Sequence, residues 1–132
     1  MARKSDSPRR KDRGSAAETR GRHAELLAAL LLRCKLYRLL GRRVKTPLGE
    51  LDLVAMSPAG VLCFIEVKAR AAEAEAAESV GLRQRGRIAR AAQLYLSTHP
   101  GLRHKGVRFD AILVIPRRLP RHLKDAWRPD SM

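Results

Sequence analysis

Three carboxylates and one amine stand in two short, otherwise apolar stretches, Glu50-Leu51-Asp52-Leu53-Val54 and Phe64-Ile65-Glu66-Val67-Lys68. Asp, Glu and Lys are rarely buried without a partner. Burying such a charge uncompensated is costly, so each must meet an opposite charge, a metal or a substrate. Phosphodiester hydrolysis needs an activated water and neutralisation of charge on the phosphoryl and leaving oxygens, and Mg2+ supplies both. That ion takes hard oxygen ligands, usually one or two carboxylates with water and phosphate oxygens. Asp52 and Glu66 are the candidate carboxylates, and the Ile65 main-chain carbonyl is a candidate further ligand. Glu66 and Lys68 are two apart on a strand and so share a face. Lys68 is placed to orient the attacking water or hold the scissile phosphate. An acid followed by Glu-x-Lys occurs by chance in many proteins, so position in consecutive strands carries most of the weight.

The loop between the two stretches predicts how they meet. In Ser57-Pro58-Ala59-Gly60, Pro suits the second position of a type I turn and Gly a following left-handed position. That is the three-residue hairpin loop with a bulge. Ser57 then faces Val61, Asp52 faces Glu66 and Glu50 faces Lys68. Directly opposed residues have Cβ atoms about 4.5–5.5 Å apart. Two carboxylates at that distance repel unless a proton or a cation lies between them. A two-residue loop would instead place Ile65 opposite Asp52 and separate the acids.

The elements that must hold these residues follow from periodicity. Residues 21–40 read as a helix with Ala28, Ala29, Leu32 and Leu36 on one stripe, stopped by Gly41. Glu25 falls within that stripe. Either the dipole of the first turns favours it there, or it points at the acidic strands. Residues 42–45 read as a short strand, 46–49 as a turn, and 51–56 and 61–68 as strands. Residues 69–79, rich in Ala and Glu, read as a mobile loop or a frayed helix. Residues 82–97 form a second helix with Gln84, Ile88, Ala91, Ala92 and Tyr95 facing inward. Arg83, Arg87 and Arg90 lie on another face, with Arg85 nearby, free to meet phosphates. His99 and His104 fall in a polar loop and are expected in solvent. Residues 107–115 read as an interior strand, interrupted by Asp110 and ended by Pro116. Leu119, Leu123 and Trp127 are spaced for a short C-terminal helix.

Composition sets the partners. Lys and Arg number 28 against 13 Asp and Glu, a net charge of +15 over 132 residues. Such an excess suits a densely negative partner, nucleic acid before an anionic membrane surface. A ribosome-like basic protein is the plainer alternative. Residues 1–20 read as a disordered basic tail, 21–116 as one domain and 117–132 as a basic helix or tail. Cys34 and Cys63 sit in apolar segments without a CxxC or Cys/His cluster. They read as reduced core thiols of a cytoplasmic protein rather than a zinc site or a disulfide scaffold. The longest apolar run, 26–32, is too short to span a bilayer, and the basic N-terminus lacks the core of a secretory signal.

The motifs Gly21-x-x-Ala24-Glu25, Thr46-Pro47-x-Gly49-Glu50-Leu51-Asp52-Leu53-Val54, Phe64-Ile65-Glu66-Val67-Lys68-Ala69-Arg70, Val80 through Ile88, and Arg108-Phe109-Asp110 resemble the YraN-type family of small bacterial proteins. That family is similar to archaeal Holliday junction resolvases within the restriction-endonuclease-like superfamily. The resemblance spans residues 21–115. It implies an α/β restriction-endonuclease-like core, a central mixed sheet of four or five strands flanked by helices, in the order helix, three strands, helix, strand. A short C-terminal helix completes the expected order. It implies that Glu25, Asp52, Glu66 and Lys68 correspond to the superfamily's active-site residues, and Gln84 is expected to join them as catalytic through a polar, uncharged contact to water or phosphate. Glu25 is a candidate ligand for the same Mg2+ or Mn2+ or for a second one. Arg70, from the same motif, joins the helix arginines as a nucleic-acid contact. Gln84 stands where the family usually has Lys, Leu36 where it has Gly, Arg43 where it has Asn and Gly81 where it has Thr. Leu36 is expected as a packing change and Gly81 as a looser entry to the second helix. The resulting expectation is a metal-dependent endonuclease on DNA, branched or otherwise structured DNA included, with a homodimer suited to cutting two strands. The alternative is a non-catalytic nucleic-acid-binding protein of the same fold, acting in repair, recombination or uptake.

Overall fold

The computed structural model describes residues 8–71, 81–102 and 105–129. The chain order is α1 (Pro8–Cys34), β1 (Arg38–Thr46), β2 (Gly49–Met56), β3 (Leu62–Ala69), α2 (Leu82–Thr98), a 3-10 turn (Pro100–Leu102), β4 (Val107–Val114) and β5 (Arg121–Trp127). The strands form one mixed sheet in the order β1-β2-β3-β4-β5. The first three run antiparallel as a meander, β3 pairs parallel to β4, and β5 returns antiparallel. A parallel pair needs a long crossover, and α2 lies within it. Strands β3 and β4 are apolar on both faces because both faces are covered.

Helix α1 covers one face, where Ala28, Ala29 and Leu32 pack with Leu53, Ala55, Cys63, Ile65 and Ile112. Helix α2 covers the other, where Ile88, Ala91, Ala92 and Tyr95 pack with Val54, Met56, Phe64, Phe109 and Trp127. The inward face expected for the second helix is therefore the buried one. Full burial of a side chain such as Phe64 stabilises by about 1.5–3 kcal/mol. The architecture is the expected α/β sheet flanked by helices, with five strands.

Three boundaries differ from expectation. Helix α1 begins at Pro8, so only residues 1–7 of the expected tail lie outside the described residues. It ends at Cys34 rather than at Gly41. Leu36 N–H bonds Arg33 O at 3.0 Å, Tyr37 N–H bonds Leu32 O at 2.9 Å, and Leu36 has φ 67°. This is the Schellman C-cap, in which a left-handed residue closes the helix. Tyr37 then packs beside Leu32, and residues released from the helix lengthen β1 to Arg38–Thr46. Leu36 is an exposed cap residue, not the packing change expected of it.

The expected C-terminal helix is a strand. Pro116 and Pro120 obstruct helix formation, and the spacing of Leu123 and Trp127 also suits a strand. β5 pairs with β4 and covers an edge that would otherwise stay open. Leu119 stays outside, 90% exposed. Residues 72–80 of the Ala/Glu-rich stretch, His104, and the end of the chain from residue 130 lie outside the described residues. Cys63 is buried, and burial pushes its thiol up to about 12, but Cys34 is exposed rather than in the core. No helix among the described residues is long and apolar enough to cross a membrane.

Candidate active site

The loop after β2 has the predicted geometry. Ser57 N–H bonds Val61 O at 2.9 Å, and Gly60 takes the left-handed position at φ 91°. The β2–β3 ladder runs from Met56 opposite Leu62 to Leu53 opposite Ile65, the expected register. Asp52 and Glu66 come next in that register. There the Asp52 carboxylate replaces main chain as acceptor, its Oδ2 taking the Val67 N–H at 2.8 Å. Alternation breaks at the same place, since Leu51 packs under α2 while Leu53 packs under α1.

Glu66 is buried on the α2 face, and Ile65 and Val67 beside it face α1. Its Oε2 receives Lys68 Nζ at 3.0 Å and also the Gln84 Nε2 amide. Lys68 Nζ donates in turn to Gln84 Oε1 at 2.9 Å. Three side chains from β3 and the first turn of α2 thus close a small ring. Lys68 pairs within its own strand with Glu66, and Glu50, its expected opposite, is exposed.

Asp52 pays for its position. Burial first, and then the Glu66 charge, push its carboxyl up to about 8. The Val67 N–H opposes that shift, while a hydrogen bond with Glu66 and the Glu25 charge add to it. Asp52 is half-buried with its charge disfavoured beside the buried Glu66, and one proton or one cation between the two oxygens relieves that cost. Both are hard oxygen donors, and one or two carboxylates with water are what Mg2+ usually takes from protein. The pair therefore fits that ion. Among the described residues no three His, Cys, Asp or Glu side chains gather as a ligand group. Glu25, the expected third ligand, is instead ion-paired, its Oε1 receiving Arg43 Nε at 2.5 Å.

The expected phosphate contacts divide. Arg83, Arg87 and Arg90 are exposed along α2. Arg85 is turned inward, its guanidinium 5.9 Å from the centre of the Trp127 ring. Arg70 is half-buried, bonds Ala69 O at 2.9 Å, and lines a cavity of about 350 Å³ with His23, Leu27 and Pro116. His99 is exposed, as expected, and stacks on Tyr95.

A second polar cluster lies between β4 and β5. Asp110 is fully buried and bound by Arg108, His122 and the Asp125 N–H. Its signal was present in the sequence: Arg108 and Asp110 are two apart on an apolar strand, so they share a side.

The fold and this centre define an α/β protein with a paired-carboxylate site on a flanked mixed sheet. The sequence matches the Uncharacterised protein family UPF0102 over residues 24–114, and the chain belongs to that family. This is the YraN-type family of the resemblance. A UPF0102 protein of Maricaulis maris (strain MCS10), Mmar10_3014, is 52% identical over 113 residues, covering 86% of this chain and 88% of the relative. One from Parvibaculum lavamentivorans is 50% identical over 116 residues, covering 88% and 86%. One from Caulobacter sp. (strain K31) is 50% identical over 115 residues, covering 87% and 82%.

Proposed function

We propose that this protein is a Mg2+- or Mn2+-dependent endonuclease acting on DNA, branched or otherwise structured DNA included. The observation that supports it most is the half-buried Asp52 beside the buried Glu66, where the β2–β3 ladder gives way to side chains. Asp52 and Glu66 would hold the cation, which when bound supplies charge neutralisation and an acidified water. Lys68, tied to Glu66 and Gln84, is positioned to meet a phosphate oxygen or the attacking water. Gln84 fixes the Lys68 amine by accepting from it while donating to Glu66. Arg83, Arg87 and Arg90 on α2, with Arg70 at the end of β3, hold the backbone phosphates. Two copies would cut the two strands of one duplex.

A specific observation favours a second reading, binding without cleavage. Both Lys68 and Gln84 are satisfied by Glu66, and Glu25 is satisfied by Arg43. One experiment separates the two readings. Purified protein is incubated with plasmid, junction and flap DNA under Mg2+, Mn2+ or EDTA, beside Asp52→Ala and Lys68→Ala. Cleavage lost in EDTA and in both variants supports the nuclease. Binding without cleavage under any metal supports the module. Cleavage that persists in the double variant removes this centre from consideration.

A further inference from the structure

We infer that Arg43 is a positioning residue that withholds Glu25 from the metal and stands in for a second cation, so that the centre takes one divalent ion. This rests on the metal centre proposed above. The β1–β2 register pairs Arg42 with Leu53 and Val44 with Leu51, which leaves Arg43 beside Asp52 in one row. That row is irregular in both strands. Arg43 has φ 50°, a left-handed conformation that non-glycine residues seldom adopt, and Asp52 is where pairing with β3 ends. Strained backbone persists where surrounding contacts hold it. Here the contact is the 2.5 Å bond from Arg43 Nε to Glu25 Oε1, which ties β1 to α1 across the row. Glu25 is largely covered, its side chain 13% exposed.

The charges fit the same conclusion. Glu50 and Asp52 also act on the Arg43 guanidinium, after Glu25 itself. Two-metal phosphodiester centres hold their ions about 3.5–4 Å apart and so need shared or additional carboxylates. Besides Asp52 and Glu66, the acid whose charge reaches this row from α1 is Glu25, and its nearer oxygen is occupied. The Arg43 guanidinium, 40% exposed and tied to Glu25, also lies within reach of the Asp52 charge and repels a second cation. Asn tolerates the left-handed region, so Arg43→Asn removes the cation and relieves the strain together.

The test counts metal without DNA. Mn2+ binding to the full chain is followed by loss of the free-ion electron paramagnetic resonance signal and by calorimetry. Wild type is expected to bind one Mn2+, lost in Asp52→Asn. Arg43→Asn is expected to bind a second ion, or the first roughly 10-fold tighter or more, the scale on which outer-shell partners act. Adding Glu25→Gln should return it to wild-type behaviour, and Arg43→Lys should keep one ion. One ion that needs Asp52 but is indifferent to Arg43→Asn overturns the role of Arg43 and leaves the centre standing. Two ions in wild type overturn it likewise. No ion in wild type overturns both the inference and the metal centre. Circular dichroism confirms that each variant is folded.

Discussion

Arg108 holds Asp110 through both carboxylate oxygens, Nε to Oδ1 and Nη2 to Oδ2, at 2.8 Å each. His122 Nε2 adds a contact at 2.8 Å and the Asp125 N–H one at 2.9 Å. The Asp125 N–H turns inward where β5 bulges, with φ 53° at Asp125, while its side chain stays exposed against Arg128. Burial opposes ionisation of Asp110, but these donors outweigh it and hold the carboxyl at about 2. His122 Nδ1 meets Lys35 Nζ at 2.6 Å, and Arg108 also donates to the Tyr37 hydroxyl at 2.7 Å. One carboxylate therefore joins the end of α1 to β4 and β5.

Asp110→Asn should be among the most damaging single substitutions. It leaves Arg108 without a counter-charge in a largely dry site, which costs about 3–5 kcal/mol. The urea midpoint should fall with an unchanged m-value. The sign with pH is also fixed. A lowered folded value contributes stability fully above the unfolded value of about 3.9 and loses it as pH falls towards about 2. A loss below about 1 kcal/mol would mean that the remaining donors re-pair with the amide.

Leu36→Gly should stabilise the protein. A left-handed L-residue costs roughly 1–2 kcal/mol, and Leu36 is 78% exposed, so it gives little packing in return. Glycine's extra freedom in the unfolded chain takes back about 0.4–1 kcal/mol. The net gain should be about 0.5–1 kcal/mol, read as a rise of roughly 2–4 °C in Tm. A lower melting temperature would show that the leucine side chain has a role the helix end does not reveal.

Gln84 is the hinge of the ring, donating to Glu66 and accepting from Lys68. If the centre cleaves DNA, Gln84→Ala should leave stability nearly unchanged and lower the single-turnover rate by about 100-fold, as small misplacements do. Gln84→Glu sets a further carboxylate against Glu66 and should be worse. Rates equal to wild type in both variants would remove Gln84 from the machinery.

What was legible beforehand followed from local chemistry. The Pro58-Ala59-Gly60 loop set the hairpin register as far as Leu53 opposite Ile65, and beyond it Asp52 meets β3 through the Val67 N–H rather than as a paired residue. The inward face of α2 followed from a 3.6-residue period. The misreadings came from features that period and composition hide. Leu36 caps α1 where Gly would advertise the stop, so the helix was extended past its end. Leu123 and Trp127 are four apart, which suits a helix stripe and a strand face alike. In the sequence Arg43 stands out only as a departure from Asn, and its reach to Glu25 depends on a left-handed φ that the sequence does not display. Asp110 reads in the sequence only as an interruption, because His122, distant in the chain, meets it only in the folded state, with Lys35 behind His122.

Asp52 makes stability depend on pH in the opposite direction to Asp110. Its folded value is raised to about 8, whereas an unfolded Asp titrates near 3.9. Between those values the folded chain keeps a proton that the unfolded chain has released, so stability falls as pH rises through the window. Asp52→Asn keeps an acceptor for the Val67 N–H without the charge. It should melt above wild type at about pH 8 and approach it near pH 4, and the difference between the two curves reports the Asp52–Glu66 pair. Saturating Mg2+ should act like the substitution, raising wild-type stability most at high pH, because a cation between Asp52 and Glu66 replaces the proton. It should do nothing for Asp52→Asn. Parallel melting curves for the two proteins across the window, with or without Mg2+, would mean that the carboxyls of Asp52 and Glu66 do not share a cation.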